Sequence, residues 1–123
     1  MDKFTVRASI ILTQEDVDDI MAAALEGGIT YWCGEATVIG EYLGEYASEQ
    51  ISRGGELDLH DLESDDVWRL DLKKFLSGVQ KWIEDGAGGI SCLNEGRLDT
   101  CQIDAVAADQ IVQYALFEDL VFG

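Results

Sequence analysis

The chain has 123 residues, and 25 acidic against 8 basic side chains give it a net charge of −17. Surface scaling lets a chain of this size bury about two-thirds of its roughly 19,600 Å² open surface, so residues 1–123 suit one domain without metal or disulfide staples. A hydrophobic fraction of 47% argues against disorder, and the acidity without a compensating basic block argues against a bare nucleic-acid binder.

The expected fold class is α+β: an antiparallel sheet of four to five strands, with a meander in the centre and two main helices packed on it. Phe4–Leu12 alternates apolar and polar residues, as a half-buried strand does. Thr13-Gln14-Glu15-Asp16 is an N-cap with an acid three residues on. Val17, Ile20, Met21 and Ala24 continue at helical spacing, and Gly27-Gly28 stop the helix. Ile29–Cys33 reads as a helical turn or a buried connector. Thr37–Tyr42 is strand-like, Gly40 and Gly44 suggest a bulge or bend, and Glu45–Ser52 leans to strand. Arg53-Gly54-Gly55 suits a hairpin turn. Glu56–Leu62 and Val67–Leu70 complete the meander through the turn Glu63-Ser64-Asp65-Asp66.

Asp71 is the expected N-cap of a second helix, with Leu72, Phe75, Leu76, Val79, Trp82 and Ile83 on one side and Lys73, Lys74 and Lys81 on the other. Gly86–Gly96 reads as a flexible connector. The last helix, Ile103–Phe117, is apolar nearly all round and belongs in the core or an interface, and Leu120–Phe122 suits a short closing strand.

Few groups suggest chemistry. Cys33, Cys92, Cys101 and His60 match a zinc ligand count, but without a C-x-x-C knuckle. No cofactor is therefore expected. A cysteine nucleophile would need His60 beside a thiol, whereas His60 falls on the polar side of a strand among acids. The segment from Asp58 to Asp66 lacks the spacing of a calcium loop. Gly86-Ala87-Gly88-Gly89 lacks the Gly-Lys-Ser/Thr of a phosphate loop. Nothing specifies an enzyme. Three cysteines cannot all pair with one another, the first residues MDKFTVRASIIL lack a signal-peptide layout, and no apolar run approaches the ~20 residues of a membrane span. A cytoplasmic setting is expected.

The acidity is the remaining signal. Spread evenly over roughly 6,500 Å² of folded surface, the acids would stand about 16 Å apart, beyond the ~8 Å Debye length, and would serve solubility alone. Clustered acids act differently, because residues i and i+2 of a strand stand about 6.6 Å apart on one face, comparable to phosphates along a nucleic-acid strand. Glu56 and Asp58 are so spaced, and Asp61, Glu63, Asp65 and Asp66 extend the row into the turn. A second group is Glu15, Asp16, Asp18 and Asp19, which the first helix's dipole already favours. A third is Glu35, Glu41, Glu45 and Glu49. Such rows can occupy the basic groove of a nucleic-acid-binding protein.

The stretches Tyr31-Trp32-Cys33, Gly40 to Gly55, Asp99-Thr100-Cys101-Gln102-Ile103-Asp104 and Leu120-Val121-Phe122-Gly123 together resemble a group of small acidic hypothetical proteins from phages and mobile elements of Firmicutes. The resemblance spans most of the chain and carries no established catalytic residues. It implies an accessory protein of a mobile element, a setting in which anti-defence and anti-CRISPR inhibitors are common. Highly acidic members of that class imitate DNA and block the positive channel of a Cas9-type nuclease. The expected function is thus a non-enzymatic inhibitor of a basic nucleic-acid-binding protein, such as a CRISPR effector. Glu56, Asp58, Asp61, Glu63, Asp65 and Asp66 form its main patch, with Asp16, Asp18 and Asp19 second. The alternatives are a structural or homodimeric domain whose acidity serves solubility, or a structural zinc protein. An apolar patch of exposed Trp32, Trp68, Trp82 or Phe122 would favour the homodimer.

Overall fold

The structure is a computed structural model that describes residues 10–85 and 103–123 in full, and the backbone of 93–94 and 97–98. It is α+β. Helix α1 (Gln14–Ala23) runs on into a π-helical turn, Ala24–Gly28. Strands β1 (Cys33–Ile39), β2 (Glu56–Asp61) and β3 (Val67–Leu70) precede helix α2 (Leu72–Glu84). The short strands β4 (Leu93–Asn94) and β5 (Arg97–Leu98) and helix α3 (Ala105–Phe117) follow.

The helix starts are set locally. Thr13 and Asp16 form a reciprocal capping box, the Asp16 amide donating to Thr13 Oγ1 at 3.1 Å and the Thr13 amide to Asp16 Oδ2 at 2.9 Å. Asp71 accepts from the Lys74 amide, and Asp104 from the Ala107 amide, each satisfying an amide that the first helical turn leaves unpaired. The Gly27-Gly28 stop is one turn later than the α-helix itself, which gives way to the π-turn after Ala23. Gly28 is there for space. A Cβ on it would stand 2.5 Å from the Ala105 carbonyl oxygen at the head of α3.

Strands β1, β2 and β3 form an antiparallel meander in that order. Register pairs Val38 with Leu57 and Leu57 with Leu70, and sets Ala36 and Trp68 opposite Leu59 on its two sides. The period-2 alternation of β2 turns Leu57 and Leu59 fully inward and leaves Glu56, Asp58 and His60 on the outer face. One core follows, in which Val17, Ile20 and Met21 of α1, Leu57, Leu59 and Leu70 of the sheet, Phe75, Val79 and Trp82 of α2, and Ile111 and Val112 of α3 are all buried.

Several expectations are corrected. The main sheet has three strands, with β4 and β5 as a separate two-stranded ribbon, and three helices stand where two main ones were expected. That ribbon lies in and just beyond the stretch expected as a flexible connector, whose other residues are outside the described ones. Most of the expected strand Phe4–Leu12 is also outside them, and its last residues show only an isolated bridge at Ile11. Glu45–Ser52 is not a strand but a 3₁₀ turn, Ala47–Glu49, followed by further turns. Residues 40–55 are accordingly one long connection between β1 and β2, not a hairpin turn at Arg53-Gly54-Gly55. Gly40 (φ +75°) and Gly44 lie in bends, one of the two forms expected for them, while the bulge lies at Gly34, where the register shifts between Cys33 and Glu35. Leu76, placed on the apolar side of α2 by helical spacing, is 43% exposed. Leu120–Phe122 forms no strand. No helix among the described residues is long and apolar enough to cross a membrane.

Candidate partner-binding surface

The six acids from Glu56 to Asp66 separate into two environments. Glu56 and Asp58 share the outer face of β2, where the Arg69 guanidinium of β3 reaches both, lying 3.3 Å from Glu56 and hydrogen-bonding Asp58 in a fork. Asp58 and Arg69 are register partners, so the pair follows directly from strand alignment. The hydrogen bond from Arg69 holds the Asp58 carboxyl below the usual carboxylate range. The two acids with phosphate-like spacing are thus the two that share a cation across the sheet.

Asp61 is out of phase with them and belongs to the β2–β3 turn. Its carboxylate accepts from the Ser64 hydroxyl, Ser64 Oγ accepts from the Asp66 amide, and the Asp61 amide donates to the Asp66 carbonyl at 2.9 Å. This bracing points Glu63, Asp65 and Asp66 outward, all three exposed. Exposed Leu62 sits at the same end against Gly34, with exposed Glu35 next in β1. Tyr31, Leu62, Glu63 and the tail residues Phe122 and Gly123 share one shallow cleft there.

The first-helix group divides as well. Asp16 is buried in its capping box. Asp18 accepts from the Ser52 hydroxyl and pairs with Arg53 at 3.5 Å. Asp19 is exposed. In the third group Glu49 is turned back, its Oε1 accepting from the Glu45 amide at 2.7 Å and the Tyr46 amide at 3.0 Å, and those amides hold its carboxyl below the usual range. Glu41 and Glu45 face solvent. Between described residues the ion pairs use two cations, Arg53 and Arg69. Lys73, Lys74 and Lys81 stand on the exposed side of α2.

The candidate zinc ligands do not meet where they are described. Cys33 is buried, its thiol pushed up by that burial, while His60 is on the outer face, 3.0 Å from Thr37 Oγ1. Cys92 and Cys101 lie outside the described residues. The described residues hold no group of three or more metal-ligating side chains. The tryptophans form no exposed patch either. Trp32 and Trp82 are buried, and Trp32, Trp68, Phe117 and Phe122 pack into one aromatic cluster, Trp32 stacking on Phe122 at 4.9 Å.

Two features escaped the sequence reading. The first is a buried polar knot on α3, within a helix that reads as apolar. Asp109 accepts from Tyr31 Oη and Trp32 Nε1, each at 2.7 Å, and from Gln113 Nε2 at 2.9 Å. Gln113 Oε1 in turn accepts the amides of Val121 and Phe122, fastening the tail to α3. The i, i+4 spacing of Asp109 and Gln113 was the available signal. Partial burial and the bond to Asp109 push the Tyr31 pKa from 10.0 up to about 12. The folded chain thus holds that proton more tightly than the unfolded chain. The resulting stabilisation is complete below pH 10 and lost as pH rises through about 12. Unfolding free energy followed against pH should therefore fall from about pH 10 upward. Tyr31→Phe should flatten that fall in part, since burial also raises Tyr114.

The second is the connection between β1 and β2. Gln50, 1% exposed, accepts the Leu43 amide at 3.0 Å and donates to the Glu41 carbonyl at 3.1 Å, fixing the course of residues 41–43 from within. Tyr42, Leu43 and Tyr46 consequently project outward, 60%, 49% and 62% exposed. The signal for this was the Tyr-Leu-Gly-Glu-Tyr run, which reads equally as strand.

No known protein family, no curated protein and no solved structure matches the chain.

Proposed function

We propose that the chain is a non-enzymatic inhibitor of a basic, nucleic-acid-binding protein in the cytosol, and that it binds by supplying the counter-charge that the nucleic acid would supply. A Cas9-type nuclease of a mobile-element defence system is the candidate partner, its channel being strongly positive. One observation carries this reading: Glu35, Glu63, Asp65 and Asp66 crowd one end of the sheet beside exposed Tyr31 and Leu62, with no ion pair to a described residue. Acids around apolar side chains make an interface with a charged rim and a dry centre. Glu56 and Asp58 belong to the rim only once Arg69 releases them.

The test is binding to a guide-loaded Cas9-type nuclease across a salt series. Affinity should fall steeply with salt, as it does for nucleic acid on the same channel. Reversing Glu63, Asp65 and Asp66 to lysine should weaken binding at least about 100-fold without lowering the melting temperature. Arg69→Ala should do the opposite, strengthening binding about two- to five-fold at low salt by unmasking two carboxylates. Undiminished inhibition by the charge-reversed chain would dispose of the proposal.

A further inference from the structure

The surface just described leaves residues 40–46 unused. From Ile29 to Ser52 the chain has four glutamates and no lysine, arginine or histidine, so nothing local neutralises the loop. Its nearest cation in sequence, Arg53, is occupied by Asp18 and Glu49. Three large side chains, Tyr42, Leu43 and Tyr46, stand in solvent together, flanked by exposed Glu41 and Glu45. A loop exposing so much apolar surface would ordinarily fold it back onto the core. Here the backbone forbids it, because Gln50 grips residues 41 and 43 and Glu49 grips the amides of 45 and 46. Gly44 permits that grip, since a Cβ on it would stand 2.8 Å from Glu49 Cβ.

We infer that residues 40–46 are a preformed recognition loop for a basic protein surface with an apolar recess. Tyr42, Leu43 and Tyr46 are its anchors, and Glu41 and Glu45 pair with lysine or arginine at the rim. Exposed contiguous apolar groups mark interaction sites, and tyrosine gives large contact area for few frozen torsions. Buried Gln50 and half-buried Glu49 have already fixed the loop's shape through its backbone, so little ordering is left to oppose binding. The absence of any cation in the segment selects a basic occupant over an acidic one. This inference rests on the proposed function only for the partner's charge. It assigns a separate contact, on the β1–β2 connection instead of the β2–β3 turn.

The probe is a displayed library of random twelve-residue peptides, selected on the full-length chain, with the bound peptides mapped by amide chemical shifts. The inference expects enriched peptides that combine arginine or lysine with apolar residues and shift the amides of residues 40–46. Tyr42→Ser with Tyr46→Ser should weaken those peptides about thirty-fold or more, while lysine at 63, 65 and 66 leaves them within about two-fold. Gln50→Leu, with both tyrosines intact, should weaken them too if the preformed shape matters, with circular dichroism confirming the fold. Basic peptides that map to residues 61–66 would overturn the loop assignment and leave the proposed function standing. If no basic sequence is enriched, the loop inference falls, while the proposed function is decided separately by its salt series and charge reversal. A dimer in sedimentation that the double tyrosine variant dissolves would make a second copy the occupant and overturn the inference.

Discussion

Asp109→Ala is expected to cost about 2–4 kcal/mol of folding free energy, despite placing a better helix former in the middle of α3. Asp109 is 7% exposed and receives hydrogen bonds from Tyr31, Trp32 and Gln113. Gln113 keeps other partners after the change, at Tyr31 Oη and the Phe122 carbonyl. Trp32 Nε1 does not, and it is left as a buried donor on a side chain 2% exposed. The loss is therefore concentrated in one orphaned indole, plus the small void left by the carboxylate. Asp109→Asn keeps an acceptor oxygen for the indole and should cost only about 1 kcal/mol. Urea unfolding followed by tryptophan fluorescence separates the two, and a cost below about 1 kcal/mol for the alanine would show that the knot is not needed. The same substitution should loosen the tail, because Gln113 holds Val121 and Phe122 while Asp109 holds Gln113. Faster carboxypeptidase trimming of the alanine variant would report that coupling.

The second large effect has an unusual sign. Glycine to alanine inside an exposed helix normally stabilises by about 1 kcal/mol. Gly78→Ala in α2 should instead destabilise by about 2–3 kcal/mol and lower the melting temperature by about 8–15 °C. A Cβ at residue 78 would stand 2.7 Å from the Ala115 amide nitrogen, 2.7 Å from Ala115 Cβ and 2.7 Å from the Ile111 carbonyl oxygen. Two of those three atoms are backbone and cannot rotate away. The helices must part, and Phe75, Val79 and Trp82, buried on α2, lose packing as they do. Ala115→Gly combined with Gly78→Ala removes one contact of the three, so it should rescue the fold only in part. Full rescue would mean that the Cβ–Cβ contact alone sets the spacing.

Helix starts were legible because their physics is local. Thr13 with Asp16, and Asp71, satisfy amides within three residues, so their roles follow from spacing; Asp104 caps α3 in the same way, where the apolar run alone started that helix at Ile103. Strand β2 was legible because polar and apolar residues alternate from Glu56 to His60. Residues 45–52 were not, since Gly44 and the turns after it depend on what Glu49 and Gln50 grip. Leu76 was misplaced for a related reason: periodicity gives a helix an apolar side but not the extent of the neighbour that covers it.

For the candidate surface the division is similar. The sequence by itself determined the acid excess, the groups of acids and the segregation of Lys73, Lys74 and Lys81 on one helix, because composition and spacing do not depend on contacts. Only the tertiary structure decided which acids remain available. Arg69 is eleven residues from Asp58 in the chain, yet strand register sets it directly opposite and pairs it with the acids that looked most like phosphates. Pairing across a sheet and burial beneath a loop join residues remote in sequence, so counter-charge and exposure are properties of the fold. The net charge of −17 belongs to the chain. Which acids stand exposed, Glu35, Glu41, Glu45, Glu63, Asp65 and Asp66 among them, belongs to the structure.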